Sequence, residues 1–321
     1  MRTSPSNGSW RLGSILTGAL VAGLAGFHAG RAWRAERQNR PQGRFIIVDG
    51  VKLHVLIRGV GEPVVLLHGD GSLIADFEAA GLVEELARFR TVIVFDRPGF
   101  GYSERPRTRP WDANEQARLI AGALQQLGIE RACIAAHSWG CSVALAMALD
   151  HPAKVRSLVL VSGYYFPTRR LDVWLLSTPA LPVIGDVLRY TLSPLMFRAL
   201  WPWLIHKLFM PMPVPHKWQG FPREMALRPA QIRASAEEIA LMVPQAAQME
   251  GRYGAVSVPT VIVAGAADAV ITTKRQSARL HRLIAGSVLH VVPGVGHMVH
   301  HSATDRVLAA INEAMDLAPP V

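Results

Sequence analysis

The sequence predicts an α/β protein, a mostly parallel sheet covered by helices, and three observations carry that expectation. Short apolar runs alternate with helical stretches over residues 44–316, as in sheets built from strand–helix–strand units. One interval, 164–250, breaks the rhythm: it holds eleven of the 22 Pro, four of the 8 Trp and six of the 10 Met with no strong strand, and reads as an inserted helical subdomain. Ahead of everything lie nineteen residues, 12–30, without a formal charge. A chain of 321 residues with 50% hydrophobic and 18% charged residues has enough apolar mass for one large domain with an insertion.

The elements follow in order. After a short tail (1–11), the segment 12–30 forms a helix of roughly 28 Å, just long enough to cross a bilayer core. A secretory signal peptide is the rival reading, because five Gly and His28 dilute its apolar character. Arg31 and Arg34 follow the run directly and no small-residue cleavage site precedes a neutral stretch, which favours an uncleaved anchor. Positive charge is heavier after the span than before it, so the positive-inside rule places the main domain in the cytoplasm, at what the Ala/Arg-rich composition suggests is a bacterial inner membrane; a periplasmic or secreted form is the alternative.

A basic linker, 31–43, leads to the first core segment, 44–163. Strands 44–48 and 52–58, joined by Asp49-Gly50, read as an antiparallel hairpin. Strands 63–67, 91–95, 132–136, 157–161, 260–264 and 287–292 are continuous apolar runs, the pattern of strands buried on both faces. Helices are expected at 75–89, 113–127, 139–149, 273–284 and 303–315, the last two in a second core segment, 251–316.

Chemistry enters at Cys133-Ile134-Ala135-Ala136-His137-Ser138-Trp139-Gly140, an apolar strand running through a tight turn into a helix. This is the context of a G-x-S-x-G nucleophile elbow, with Ala136 at the first glycine position; the turn lifts the Ser138 hydroxyl above the sheet. Read without that context, Ser138 is an ordinary helix N-cap. Further along, His68-Gly69-Asp70-Gly71 ends the third strand and Asp96-Arg97-Pro98-Gly99-Phe100-Gly101 the fourth, while Asp268 and His297 follow the seventh and eighth.

Taken together, these pieces resemble the α/β-hydrolase superfamily, in particular cap-bearing serine hydrolases of esterase or lipase type, over about residues 44–316. The resemblance implies a mostly parallel eight-stranded α/β-hydrolase sheet with a helical cap at 164–250; the N-terminal membrane helix read from the run 12–30 precedes it. It also implies a catalytic set of Ser138 as nucleophile, Asp268 as acid and His297 as base, in the family's chain order. Backbone N–H groups of Trp139 and Asp70 would then form the oxyanion hole. An acidic side chain at 70 would oppose an oxyanion, so it is expected to turn away, or to sit protonated or hydrogen-bonded. His68 and His137 are expected beneath the site in structural roles, and cap aromatics such as Trp174, Trp201, Trp203, Trp218, Phe197 and Phe209 over it, as a roof or as the cap's own core.

The implied reaction is acyl transfer to water on a hydrophobic ester or lipid substrate, with the membrane as partner and no cofactor or metal. Thioesters and amides stay open, as do C–C hydrolysis, perhydrolysis and a non-catalytic receptor on the same scaffold. Serine at 138 argues against haloalkane dehalogenase or epoxide hydrolase chemistry, whose resemblance would require an aspartate there. Nucleic acid is not an expected partner: of the net charge of +10, residues 1–44 carry +6 and leave +4 for the rest. Cys133 and Cys141 form neither a disulfide framework nor a CxxC pair.

Overall fold

The computed structural model describes residues 7–319, so the tail expected at 1–11 lies partly outside them. Eight strands, β1 (Arg44–Val48), β2 (Val51–Arg58), β3 (Pro63–Leu67), β4 (Thr91–Phe95), β5 (Ala132–His137), β6 (Val155–Val161), β7 (Thr260–Gly265) and β8 (Val288–Val292), form one sheet in the order β1-β2-β4-β3-β5-β6-β7-β8. The β1–β2 and β2–β4 pairs are antiparallel and the other five parallel. Alternate residues of the central strands serve opposite cores. Val65, Leu67, Ile134 and Ala136 face one layer, and Val64, Leu66, Cys133 and Ala135 the other. A strand with helices on both sides has no polar face to keep, which is why these runs read as unbroken apolar sequence.

The first layer contains α4 (Ala113–Gln126) and α5 (Gly140–Asp150); the second contains α2 (Ile74–Ala79), α3 (Leu82–Ala87) and α13 (Thr304–Asp316). Three expectations are corrected here. The single helix expected at 75–89 is split into α2 and α3 at Gly81, whose φ of 77° only glycine adopts cheaply. The helix expected at 273–284 shrinks to α11 (Ser277–His281). Strand β8 is not buried on both faces: it pairs only with β7, and His290 and Val291 are exposed at the sheet edge.

Between β6 and β7 lie α6 (Asp172–Leu176), α7 (Ile184–Tyr190), α8 (Leu192–Phe209), α9 (Arg223–Ala226) and α10 (Pro229–Met249), and after β8 comes α12 (Val299–Ser302). The cap has its own core: Phe209, Trp218, Phe221 and Met225 cluster with Ile205 and Met298, and Trp201 packs against them. Trp174 and Trp203, expected in the roof or in the cap's own core, are exposed.

The N-terminal helix, α1 (Asn7–Gln38), is longer than the span expected at 12–30 and takes in the first part of the linker expected at 31–43. Its Gly13–Gln38 stretch is long and apolar enough to cross a membrane by length and composition. Its two halves differ. Residues 13–20 are exposed, whereas Ala35 and His28 are buried where α1 packs on α7, α9 and α10. Arg31 pairs with Glu224 at 3.1 Å, Glu36 with Arg228 at 2.7 Å, and Tyr102 donates to the Glu36 carbonyl at 3.0 Å. Those contacts draw the helix past Arg31, where the linker was expected.

Candidate active site

Strand β5 ends at His137, and the chain turns through Ser138 into α5. Ser138 takes φ 51°, a left-handed conformation that strains any residue with a Cβ and is held here by surrounding structure. Its amide donates to Val161 O at 2.9 Å, tying the turn to β6. Gly140 is dictated by space, because a Cβ there would lie 2.4 Å from Leu67 O, so strand and helix backbones could not approach.

The three residues expected to act together are brought together. The Ser138 hydroxyl lies 3.1 Å from His297 Nε2, and His297 Nδ1 lies 2.8 Å from Asp268 Oδ2. Both side chains are enclosed, with exposures of 4% for His297 and 1% for Asp268. The other Asp268 oxygen accepts from the amides of Val270 and Ile271, each at 2.8 Å, which fixes the carboxylate plane. With Nδ1 donating to Asp268, Nε2 is left as an acceptor facing the serine hydroxyl, the tautomer a general base needs.

Asp70 and Trp139 flank the serine, and the amide of neither has an acceptor among the described residues. Gly69 packs against the site, since a Cβ there would lie 3.1 Å from Ser138 Cβ. The Asp70 carboxyl points to the cap, with Oδ2 accepting from Ser235 on α10 at 2.9 Å, while Oδ1 is enclosed and unpartnered. Burial and the nearby Glu238 push this carboxyl up to about 7, against the lowering effects of Ser235 and Arg97. Below about pH 7 the carboxyl is therefore mostly protonated, which is one of the states expected for an acidic residue at this position.

Residues to which the sequence reading gave no role hold this loop, Arg97 among them although its motif was noted. Arg97 donates to His68 O at 2.7 Å and to Gly69 O at 2.9 Å, and its guanidinium is paired bidentately with Glu238 of α10, one of those bonds at 2.9 Å. Both side chains are fully buried. Two turns earlier on α10, Gln231 donates to Gly71 O and Ser72 O at 3.3 and 3.2 Å and accepts from Gly101 N at 3.0 Å. Gln231, Ser235 and Glu238 are spaced i, i+4, i+7, so one face of α10 reaches the loop after β3, where the oxyanion hole is expected. Elsewhere the cap touches the histidine loop, where Leu208 O accepts from His297 N at 3.1 Å.

The other histidines lie beneath, as expected for His68 and His137. His68 bonds Gly69 O at 2.8 Å and accepts from Arg97 N at 3.0 Å; burial, then Arg97, push it down to about 3, so it stays neutral. His137 Nε2 lies 3.2 Å from His297 O, and burial, with His300 and His297 beside it, lowers it well below its ordinary range. Deeper still, Asp76 contacts His301 at 2.7 Å, His300 at 3.3 Å and Ser72 at 2.9 Å. Burial alone would raise Asp76, but the two histidines outweigh it and hold the carboxyl well below its usual range. Asp76, His137 and His300 each bring one donor atom within 4.8 Å of the others, so they are the metal-capable group among the described residues, although the Asp76 oxygens already have partners.

A sequence model of the alpha/beta hydrolase family matches residues 64–310, about three quarters of the chain, and the chain belongs to that family. It is 41% identical over 143 residues to 2-hydroxymuconate semialdehyde hydrolase of Pseudomonas sp. strain CF600, a match spanning 43% of this chain and only half the length of that relative. It is 28% identical over 290 residues to 2-hydroxy-6-oxo-2,4-heptadienoate hydrolase of Pseudomonas putida, covering 86% of this chain and 96% of the relative. Among solved structures, a bacterial membrane phospholipase A superposes with a TM-score of 0.66 at 22% identity, over 97% of this chain and 99% of that one, a likeness of fold.

Proposed function

We propose that this alpha/beta hydrolase is a serine hydrolase that cleaves the ester, or a related acyl bond, of a hydrophobic small molecule or lipid. The observation that carries the reading is the continuous line from Ser138 Oγ through His297 to Asp268, with Ser138 held in a left-handed turn between two amides that lack acceptors. His297 Nε2 takes the hydroxyl proton as Oγ attacks the carbonyl carbon, and Asp268 stabilises the imidazolium that forms. Negative charge gathers on the former carbonyl oxygen, where the Asp70 and Trp139 amides donate. The imidazolium then protonates the leaving group, and a water, deprotonated by the same histidine, hydrolyses the acyl-enzyme.

A second reading is hydrolysis of a C–C bond next to a carbonyl, favoured by the two Pseudomonas relatives named for dienoate and muconate semialdehyde substrates. Steady-state turnover on p-nitrophenyl esters from acetyl to dodecanoyl, beside a 2-hydroxy-6-oxo-2,4-dienoate, separates the two. The ester reading expects efficiency to rise with acyl length and no turnover of the dienoate; faster turnover of the dienoate replaces it with the second.

We also propose that α1 anchors the enzyme in a membrane, with the bacterial inner membrane and a cytoplasmic catalytic domain as the reading of its flanking arginines. Support comes from the exposed apolar half of α1 and from apolar cap side chains left in solvent, among them Leu171, Trp174, Val183, Ile184 and Trp203. The docked half of α1 fixes the cap close to where the apolar half begins, so the same bilayer would cover both. Fractionation tests it: protein retained in membranes after a carbonate wash fits the anchor, and release argues for a cleaved or peripheral segment.

A further inference from the structure

The acids of this chain are largely spoken for. Arg90 and Arg156 pair with Glu62, Arg107 and Arg189 with Asp186, Arg118 with Glu115, Arg198 with Glu224 and Arg252 with Asp150. One region departs from this. Where the chain leaves β6 for the cap, a cleft of about 680 Å³ is lined by Arg169 on the cap side and by Lys274, Arg275, Arg279 and Arg282 on the core side, with Phe166 in its wall. All five cations are exposed. The side chains of Arg169, Lys274, Arg275 and Arg282 make no ion pair or hydrogen bond among the described residues. Arg279 reaches Glu250 only at 3.5 Å and lies over the Phe166 ring at 3.9 Å.

The two sides of the cleft are tied together. Gln276, buried between the two sides, accepts from the amides of Tyr165 and Phe166 at 2.7 and 2.8 Å and donates to Phe166 O at 2.9 Å. That clasp holds the start of the cap against the segment bearing Lys274, Arg275 and Arg279. Five like charges drawn into one concave site repel one another, and the single weak acid partner leaves most of that repulsion uncompensated. A small monoanion would not balance it, whereas a multiply charged oxyanion would, with guanidinium forks matching phosphate oxygens and the ammonium supplying a point charge.

We propose that this cleft is a binding site for a phosphate-bearing ligand, separate from the Ser138 site and independent of the reaction assigned to it. The headgroup of an anionic phospholipid and a soluble organic polyphosphate share this chemistry. Binding would bridge the base of the cap to the segment that follows Asp268, whose Thr273 donates to Gly265 O at 2.6 Å, and would therefore stiffen the cap's attachment.

The test uses the full chain in neutral detergent. Thermal unfolding is followed while pyrophosphate is titrated against sodium chloride at matched ionic strength, for the wild type and for the triple variant Lys274→Gln, Arg275→Gln, Arg282→Gln. The proposal expects pyrophosphate to raise Tm by several degrees in the wild type, with at least a tenfold weaker apparent affinity in the variant. A Ser138→Ala protein should respond like wild type, which keeps this result distinct from any failure of the hydrolase reading. Repeating the unfolding in detergent micelles doped with phosphatidic acid or with phosphatidylcholine, with and without competing pyrophosphate, distinguishes the sources: a variant-sensitive rise in Tm with phosphatidic acid that pyrophosphate competes with assigns the site to lipid headgroups, and a response to pyrophosphate alone assigns it to a soluble ligand. Equal responses of wild type and triple variant, or a pyrophosphate effect no larger than chloride's, would overturn the proposal.

Discussion

Asp70→Asn is the most informative single substitution, because the structure gives both its sign and its size. The Asp70 carboxyl is raised from an ordinary value of 3.8 to about 7 by burial and by Glu238. Between those two pH values the unfolded chain has released this proton while the native protein keeps it, so the native state loses stability as pH rises and bears the full penalty above about 7. At about 1.4 kcal/mol for each tenfold, the penalty is about 4 kcal/mol; part of the residue is open to solvent, and half of that, about 2 kcal/mol, is the working figure. Asparagine keeps the shape and an acceptor for Ser235 but cannot ionise. Urea unfolding of both proteins at pH 5.0, 6.0, 7.0 and 8.5 should show the variant gaining on the wild type with rising pH, by about 1.3 kcal/mol from end to end, the part of the penalty that falls between pH 5 and 7. A difference that stays constant within about 0.5 kcal/mol, or that favours the wild type at pH 8.5, would refute the claim that this carboxyl is held neutral.

Other perturbations follow from the same geometry. Glu238→Ala leaves the buried Arg97 guanidinium without its partner and should cost about 3–5 kcal/mol by urea unfolding, whereas Glu238→Gln should retain the fold and lower kcat more than it changes KM; a Glu238→Ala protein as stable as wild type would contradict the coupling of α10 to the oxyanion loop. Gly140→Ala places a methyl 2.4 Å from Leu67 O and should cut labelling of Ser138 by a fluorophosphonate at least tenfold, while an unchanged rate would mean the elbow tolerates a Cβ. Deleting residues 1–30 should free the protein from membranes with ester turnover intact. Deleting 1–40 should also lower stability by about 1–3 kcal/mol, since Arg228 loses Glu36; equal melting of the two truncations would show that the docked half of α1 contributes nothing.

The central sheet was legible because strands such as β3 and β5 bury both faces and so carry no polar alternation. The same rule misread β8, whose Val-Leu-His-Val-Val run is apolar although the strand lies at an edge; composition does not encode the number of neighbours. The Ser138 turn could be read since strand, small residues and helix are contiguous, whereas His297 and Asp268 were assigned through the resemblance to the family, whose base and acid follow the eighth and seventh strands. What holds them is a matter of long-range contact. Arg97 and Glu238 are 141 residues apart, as Asp76 and His301 are 225, and no local pattern links them. A signal for α10 did exist in the polar positions Gln231, Ser235 and Glu238 on one face of an otherwise mixed helix, and the His300-His301 pair beside His297 was a second. The cap aromatics were ambiguous for a physical reason: an apolar side chain satisfies a cap core, a pocket roof or a bilayer equally well, and only packing shows that Phe209 and Trp218 serve the first.

The account stands on Ser138 as the nucleophile, and trapping the covalent enzyme tests it most directly. Purified full-length protein is reacted with a fluorophosphonate probe, digested, and the modified peptide sequenced by mass spectrometry, alongside Ser138→Ala and His297→Ala proteins of confirmed fold. The account predicts one modified residue, Ser138, with labelling absent in the first variant and slowed at least a hundredfold in the second. Modification of a different serine, or undiminished ester turnover by the Ser138→Ala protein, would contradict it.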